Sequence, residues 1–114
     1  MQNLTPECAT QVLTSPQAAV YSTAHRGNTA SSYNYAFTND SNQTVAITFQ
    51  GCAKADFGAR IMDLVNSAGV VITLTLLAGE KGYAILSDPW NWVRAKVTPV
   101  APAAGNVTLD ITEK

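Results

Sequence analysis

Four stretches of this chain alternate apolar and polar residues with a period of two, and that pattern constrains the fold more than any other feature. Val45, Ile47 and Phe49 alternate with Thr44, Ala46, Thr48 and Gln50, and Val70, Ile72, Leu74 and Leu76 alternate with Val71, Thr73, Thr75 and Leu77. Val93, Ala95 and Val97 alternate with Trp92, Arg94, Lys96 and Thr98, and Val107, Leu109 and Ile111 alternate with Thr108, Asp110 and Thr112. Successive strand side chains point to opposite faces, so each stretch predicts a strand with one face for a core and one for water. The expected core comprises Val45, Ile47, Phe49, Ile72, Leu74, Val93, Val97, Val107, Leu109 and Ile111.

Weaker strand signals lie at 11–14, 18–23, 33–38 and 83–86, with Tyr33, Tyr35 and Phe37 on one face of their segment. Turn chemistry separates the strands at Asn39-Asp40-Ser41-Asn42, Asn66-Ser67-Ala68-Gly69, Gly79-Glu80-Lys81-Gly82, Asp88-Pro89 and Ala104-Gly105-Asn106. Asn, Asp and Gly tolerate positive φ and Pro lacks a ladder donor, so pairing stops or reverses at such places. Many short strands with turns at short intervals predict an all-β fold, an antiparallel β-sandwich of jelly-roll or Ig-like type. Residues 56–68 fit two descriptions. Phe57, Ile61, Leu64 and Ala68 have the spacing of one short helix, whereas Gly58 and the β-branched Ile61 and Val65 favour a strand over 60–65.

A length of 114 residues predicts a single domain spanning 1–114. Charged residues make up 13%, about half the usual share of roughly 25%. Small neutral polar residues replace them, a composition suited to wide protein–protein contact because little charge is desolvated on docking. The net charge is −1, and the cations Arg26, Lys54, Arg60, Lys81, Arg94, Lys96 and Lys114 are scattered. Nucleic-acid binders concentrate cations on one face, so nucleic acid is not an expected partner. The longest apolar run, 70–78, is too short to span a bilayer as a helix, so no membrane partner is expected either. Residues 1–7 lack a basic stretch followed by an apolar one, which predicts a product made in a cytoplasm. In that compartment Cys8 and Cys52 are expected to be buried thiols dispensable for folding, with a disulfide between them as the alternative, and the four Asn-x-Ser/Thr triplets imply no glycan.

The residues offer little to a catalyst. His25, the single histidine, sits in the polar run His25-Arg26-Gly27-Asn28, with neither a nucleophile nor an orienting carboxylate beside it. The eight acids are dispersed, mostly in turns, and a cysteine pair with wide spacing is no metal motif. Gly79-Glu80-Lys81-Gly82 lacks the spacing of a phosphate loop and reads as a hairpin. The expectation is a non-enzymatic protein without a cofactor.

The unusual segment is Pro89-Trp90-Asn91-Trp92-Val93-Arg94-Ala95-Lys96-Val97. If Val93, Ala95 and Val97 face the core, then Trp90, Trp92, Arg94 and Lys96 share the other face. Tryptophan and arginine are enriched in interface hot spots, and an indole pair also makes a platform for sugar rings. Three readings stay open: a face covered by neighbouring chain with Arg94 stacked over an indole, a protein interface, or a carbohydrate platform of Trp90, Trp92 and Tyr83.

The second half, about 43–112, runs from the 45–52 strand with Gln50-Gly51 to Leu77-Ala78-Gly79 and Tyr83. Trp92-Val93-Arg94-Ala95-Lys96-Val97 and Gly105-Asn106-Val107-Thr108-Leu109 follow. In that order the segment resembles small β-sandwich accessory proteins of tailed-phage virions, of the capsid decoration and head-fibre type. The resemblance implies a homo-oligomer, or a subunit docked on a capsid or tail protein, made in the host cytoplasm and assembled into the virion. The alternative is a carbohydrate-binding module with a glycan as partner.

Overall fold

A computed structural model of the protein describes residues 8–23, 25–26, 33–52, 61–66, 68–86 and 92–113. Its strands are β1 (Cys8–Thr14), β2 (Val20–Tyr21), β3 (His25–Arg26), β4 (Tyr33–Asn39), β5 (Val45–Cys52), β6 (Met62–Asp63), β7 (Leu74–Leu76), β8 (Lys81–Leu86), β9 (Trp92–Pro99) and β10 (Asn106–Glu113). Among the described residues there is no helix.

The strands form two antiparallel sheets. The first has the order β1-β10-β4-β8; in the second, β9 and β5 lie at the centre, with β2 and β3 both pairing β9 and β6 and β7 both pairing β5. Each short couple occupies one strand position, so the second sheet is also four positions wide. Except for the step from β5 to the β6–β7 position, every connection to the next position passes from one sheet to the other. An eight-position sandwich wound this way is a jelly roll. The Ig-like alternative does not have this order.

The alternation seen in the sequence maps onto the inner faces. Val45, Ile47 and Phe49 of β5 and Val93, Ala95 and Val97 of β9 are buried against Tyr33, Tyr35 and Phe37 of β4 and Val107 and Leu109 of β10. Phe49 packs on the aromatic pair across the sandwich, with its ring centroid 5.0 Å from Tyr35 and 6.1 Å from Phe37, both inclined. Those distances and tilts suit the aromatic quadrupole. Ile72, Leu74 and Ile111, expected in the core, are half-buried at its margin.

The long strand predicted over 70–77 is shorter, and local chemistry explains why. Asn66 Oδ1 accepts from the backbone N–H groups of Ala68 and Val70, and Gly69 adopts a φ of 79°. That turn folds the chain back so that Val71 bridges Val65 and the Ile72 N–H donates to the Leu64 carbonyl. Only Leu74–Leu76 remains to pair with β5. Within the ambiguous 56–68 segment, the described residues carry β6 and a fully buried Leu64 rather than a helix. Residues 53–60 and 67 lie outside the described set. The 18–23 strand contracts to Val20–Tyr21 because Ser22 interrupts it. The Ser22 N–H donates to the Ala95 carbonyl while its Oγ accepts from the Ala95 N–H, a side chain replacing a ladder carbonyl.

One end of the sandwich is tied together through Asn39, the last residue of β4, which is completely buried. Its Nδ2 lies 2.8 Å from the Gln43 carbonyl and 3.1 Å from those of Leu76 and Leu77. Its Oδ1 accepts from the Ser41 N–H at 3.1 Å and the Ser41 Oγ at 2.6 Å. A buried amide is tolerable only when its donors and acceptor are satisfied in this way. Beside it, Gly105 holds a φ of 97°, and a Cβ there would stand 2.6 Å from the Asp40 carbonyl oxygen.

Candidate functional site

The face assignment made for β9 holds. Val93, Ala95 and Val97 are buried, whereas Trp92, Arg94 and Lys96 alternate with them as half-buried residues on the outer face of the second sheet. Neighbouring strands flank each one. Trp92 stands between Arg26 of β3 and Cys52 of β5, and Lys96 stands between Tyr21 of β2 and Thr48 of β5. Arg94 has its guanidinium carbon 4.0 Å from the Tyr21 ring centroid, and its Nε donates to Gln50 Oε1 at 2.9 Å. The ring described beneath the cation is thus the Tyr21 phenol. Gln50 and Cys52 lie on this same outer side by strand parity, yet both are buried. Cys52 is a buried thiol. Trp90 lies outside the described residues.

This strip is held by contacts across three strands. A guanidinium that stacks on one ring and donates within the same face is ordered, and its charge is directed along the sheet.

Tyr83 belongs elsewhere. It lies on β8 opposite Ala36 of β4, and its neighbours Gly82 and Ala84 pair with the core-facing Phe37 and Tyr35. Its side chain therefore points out of the first sheet, on the far side of the sandwich from Trp92. A core about 10 Å thick separates the two faces, so Tyr83 and Trp92 cannot form one sugar platform.

The outer face of the first sheet instead collects Tyr83, 65% exposed, with Ile85 at 61% on the same strand and Val12 of β1 at 51%. Between them stand Ala36, Asn34, Thr108 and Thr112, short side chains that leave the face low. Charge on it is sparse: Lys81 opens β8, and Asp110 accepts from the Thr10 hydroxyl at 2.6 Å. Tyr83 is a candidate from the sequence, whereas Ile85 and Val12 are not. The signal was present, because Ile85 follows Tyr83 by two residues and so shares its face.

Among the described residues no group of three or more His, Cys, Asp or Glu side chains could hold a metal ion, and no helix is long and apolar enough to cross a membrane. No protein-family model matches the chain, and no curated protein matches its sequence.

Proposed function

We propose that this chain is a non-enzymatic structural subunit of the virion accessory type that the second half of its sequence resembles. It self-associates or docks on a capsid or tail surface after synthesis in the host cytoplasm. The observation that carries this reading is the outer face of the first sheet, where Val12, Tyr83 and Ile85 are exposed on a jelly-roll surface with little charge. Aromatic and aliphatic area without neighbouring charge is inexpensive to desolvate and favours protein contact. Fold alone does not carry the reading, since jelly rolls serve capsids and lectins alike.

The experiment is sedimentation velocity of the wild-type chain over a wide concentration range, with tryptophan fluorescence followed during titration with oligosaccharides. A species larger than the monomer, with fluorescence unchanged by sugar, is the expected result. A strict monomer whose tryptophans respond to an oligosaccharide overturns the reading in favour of a carbohydrate-binding module built around Trp92.

A further inference from the structure

The four lateral edges of this sandwich are not alike. Both edges of the second sheet are broken: β2 and β3 are two-residue pieces interrupted at Ser22 and Thr23, and β6 and β7 are pieces of two and three residues. Short, interrupted edges are a common means of preventing strand addition. On the β1 side of the first sheet, Val12 is the one large exposed apolar residue, and Gln11 Oε1 accepts from the Thr23 N–H, joining that edge to the second sheet. Among the described residues the β8 edge has no such device. It runs for six residues without proline, pairs with β4 in unbroken register from Leu86 to Lys81, and carries one charge, Lys81.

Ladder parity shows which groups β8 presents outward. The Asn39 N–H donates to the Glu80 carbonyl, which makes 39 and 80 a hydrogen-bonded pair. In an antiparallel ladder such pairs alternate, so Gly82, Ala84 and Leu86 bond to β4 while Lys81, Tyr83 and Ile85 direct N–H and C=O away from it. Among the described residues nothing receives those groups, and the side chains of Tyr83 and Ile85 are the most exposed large apolar ones on any strand.

We propose that β8 is a homodimerisation edge, where a second copy of the chain adds its own β8 antiparallel and joins the two first sheets into one eight-stranded sheet. This rests on the reading of the chain as an assembling subunit and names the partner. The occupant is a second copy because the edge is self-complementary in one register. With the Ala84 residues of the two copies on the two-fold axis, each Tyr83 stands opposite the partner's Ile85, and both residues direct their backbone groups across the seam. This forms two aromatic–β-branched pairs, a favourable cross-strand combination. The two Lys81 side chains then lie at opposite ends of the paired segment, so the seam contains no like-charge contact. Centring the axis on Tyr83 would instead set Lys81 against the partner's Ile85.

The test is sedimentation velocity on the full chain and on Ile85→Lys, Tyr83→Lys and the double variant Tyr83→Lys, Ile85→Glu, with far-UV circular dichroism on each. The wild type is expected to dimerise, Ile85→Lys and Tyr83→Lys to be monomeric with an unchanged spectrum, and the double variant to regain the dimer. In the stated register the double variant sets opposite charges across the seam twice. If Ile85→Lys alters the spectrum, Tyr83→Pro replaces it, because it deletes an outward N–H while leaving the β4 ladder intact. An oligomer that persists in the β8 variants overturns the edge pairing and leaves the assembly reading standing. A wild-type monomer indifferent to sugar also overturns the pairing and leaves only docking on a foreign surface. A wild-type monomer that responds to oligosaccharide overturns both.

Discussion

Arg94 lies with its guanidinium carbon 4.0 Å from the centroid of the Tyr21 ring, joining β9 to the short edge piece β2 on the outer face of the second sheet. The pair sits at a short edge piece, since β2 is joined to the β9 ladder through Val20 and Tyr21 alone. Tyr21→Ala is expected to lower stability by about 0.5–1.5 kcal/mol. Arg94→Lys is expected to lose a similar amount, because an ammonium reproduces neither the flat stack nor the Nε donation to Gln50. Urea denaturation of both single variants and the Tyr21→Ala, Arg94→Lys double variant measures the coupling, which should be non-zero.

Asn39 is the polar residue whose loss should be felt most. Its amide serves three carbonyls and its oxygen two donors of Ser41, all in a buried setting. Asn39→Ala leaves several of those groups unsatisfied and is expected to cost about 2–4 kcal/mol. Asn39→Asp should be worse, since a carboxylate in that place faces three carbonyl oxygens with no amide protons to give. The midpoint of urea unfolding for the two variants ranks them.

Gly105 and Gly69 both take positive φ, but their surroundings differ. A Cβ at Gly69 meets nothing within 4 Å, whereas one at Gly105 meets the Asp40 carbonyl oxygen at 2.6 Å and the Ser41 Cα at 3.0 Å. Gly69→Ala should therefore cost only the left-handed backbone preference, about 1–2 kcal/mol. Gly105→Ala must also displace the 40–41 backbone and should cost distinctly more. Parallel thermal melts of the two variants make the comparison.

Core burial gives a similar contrast. Ile47 is fully buried and Ile72 half-buried, although both fall on the apolar side of their alternation. Ile47→Ala should lose about 2–5 kcal/mol through transfer and cavity terms. Ile72→Ala should lose less, because its site at the margin of the core relaxes and is already partly wet. Chemical denaturation of the two variants, compared at equal slope, tests the order.

Local pattern was enough to place most strands and to orient their faces. That Tyr33, Tyr35 and Phe37 share one face, and Trp92, Arg94 and Lys96 another, follows from the strand pleat, which acts between residues two apart, whereas the burial of the Tyr33–Tyr35–Phe37 face is a result of the tertiary structure. The same locality explains what the pattern overstated. Residues 70–77 alternate throughout, but Asn66 and Gly69 turn the chain so that only Leu74–Leu76 pairs with β5. The sequence by itself determined an antiparallel sandwich with Val45, Ile47, Phe49, Val93, Val97, Val107 and Leu109 inside. Only the tertiary structure decided that β10 lies between β1 and β4, that Arg94 stacks on Tyr21, and that Tyr83 and Trp92 occupy opposite faces. Alternation records which side of a strand is apolar, whereas the choice of sheet and neighbour depends on contacts between segments tens of residues apart, and no periodicity encodes those.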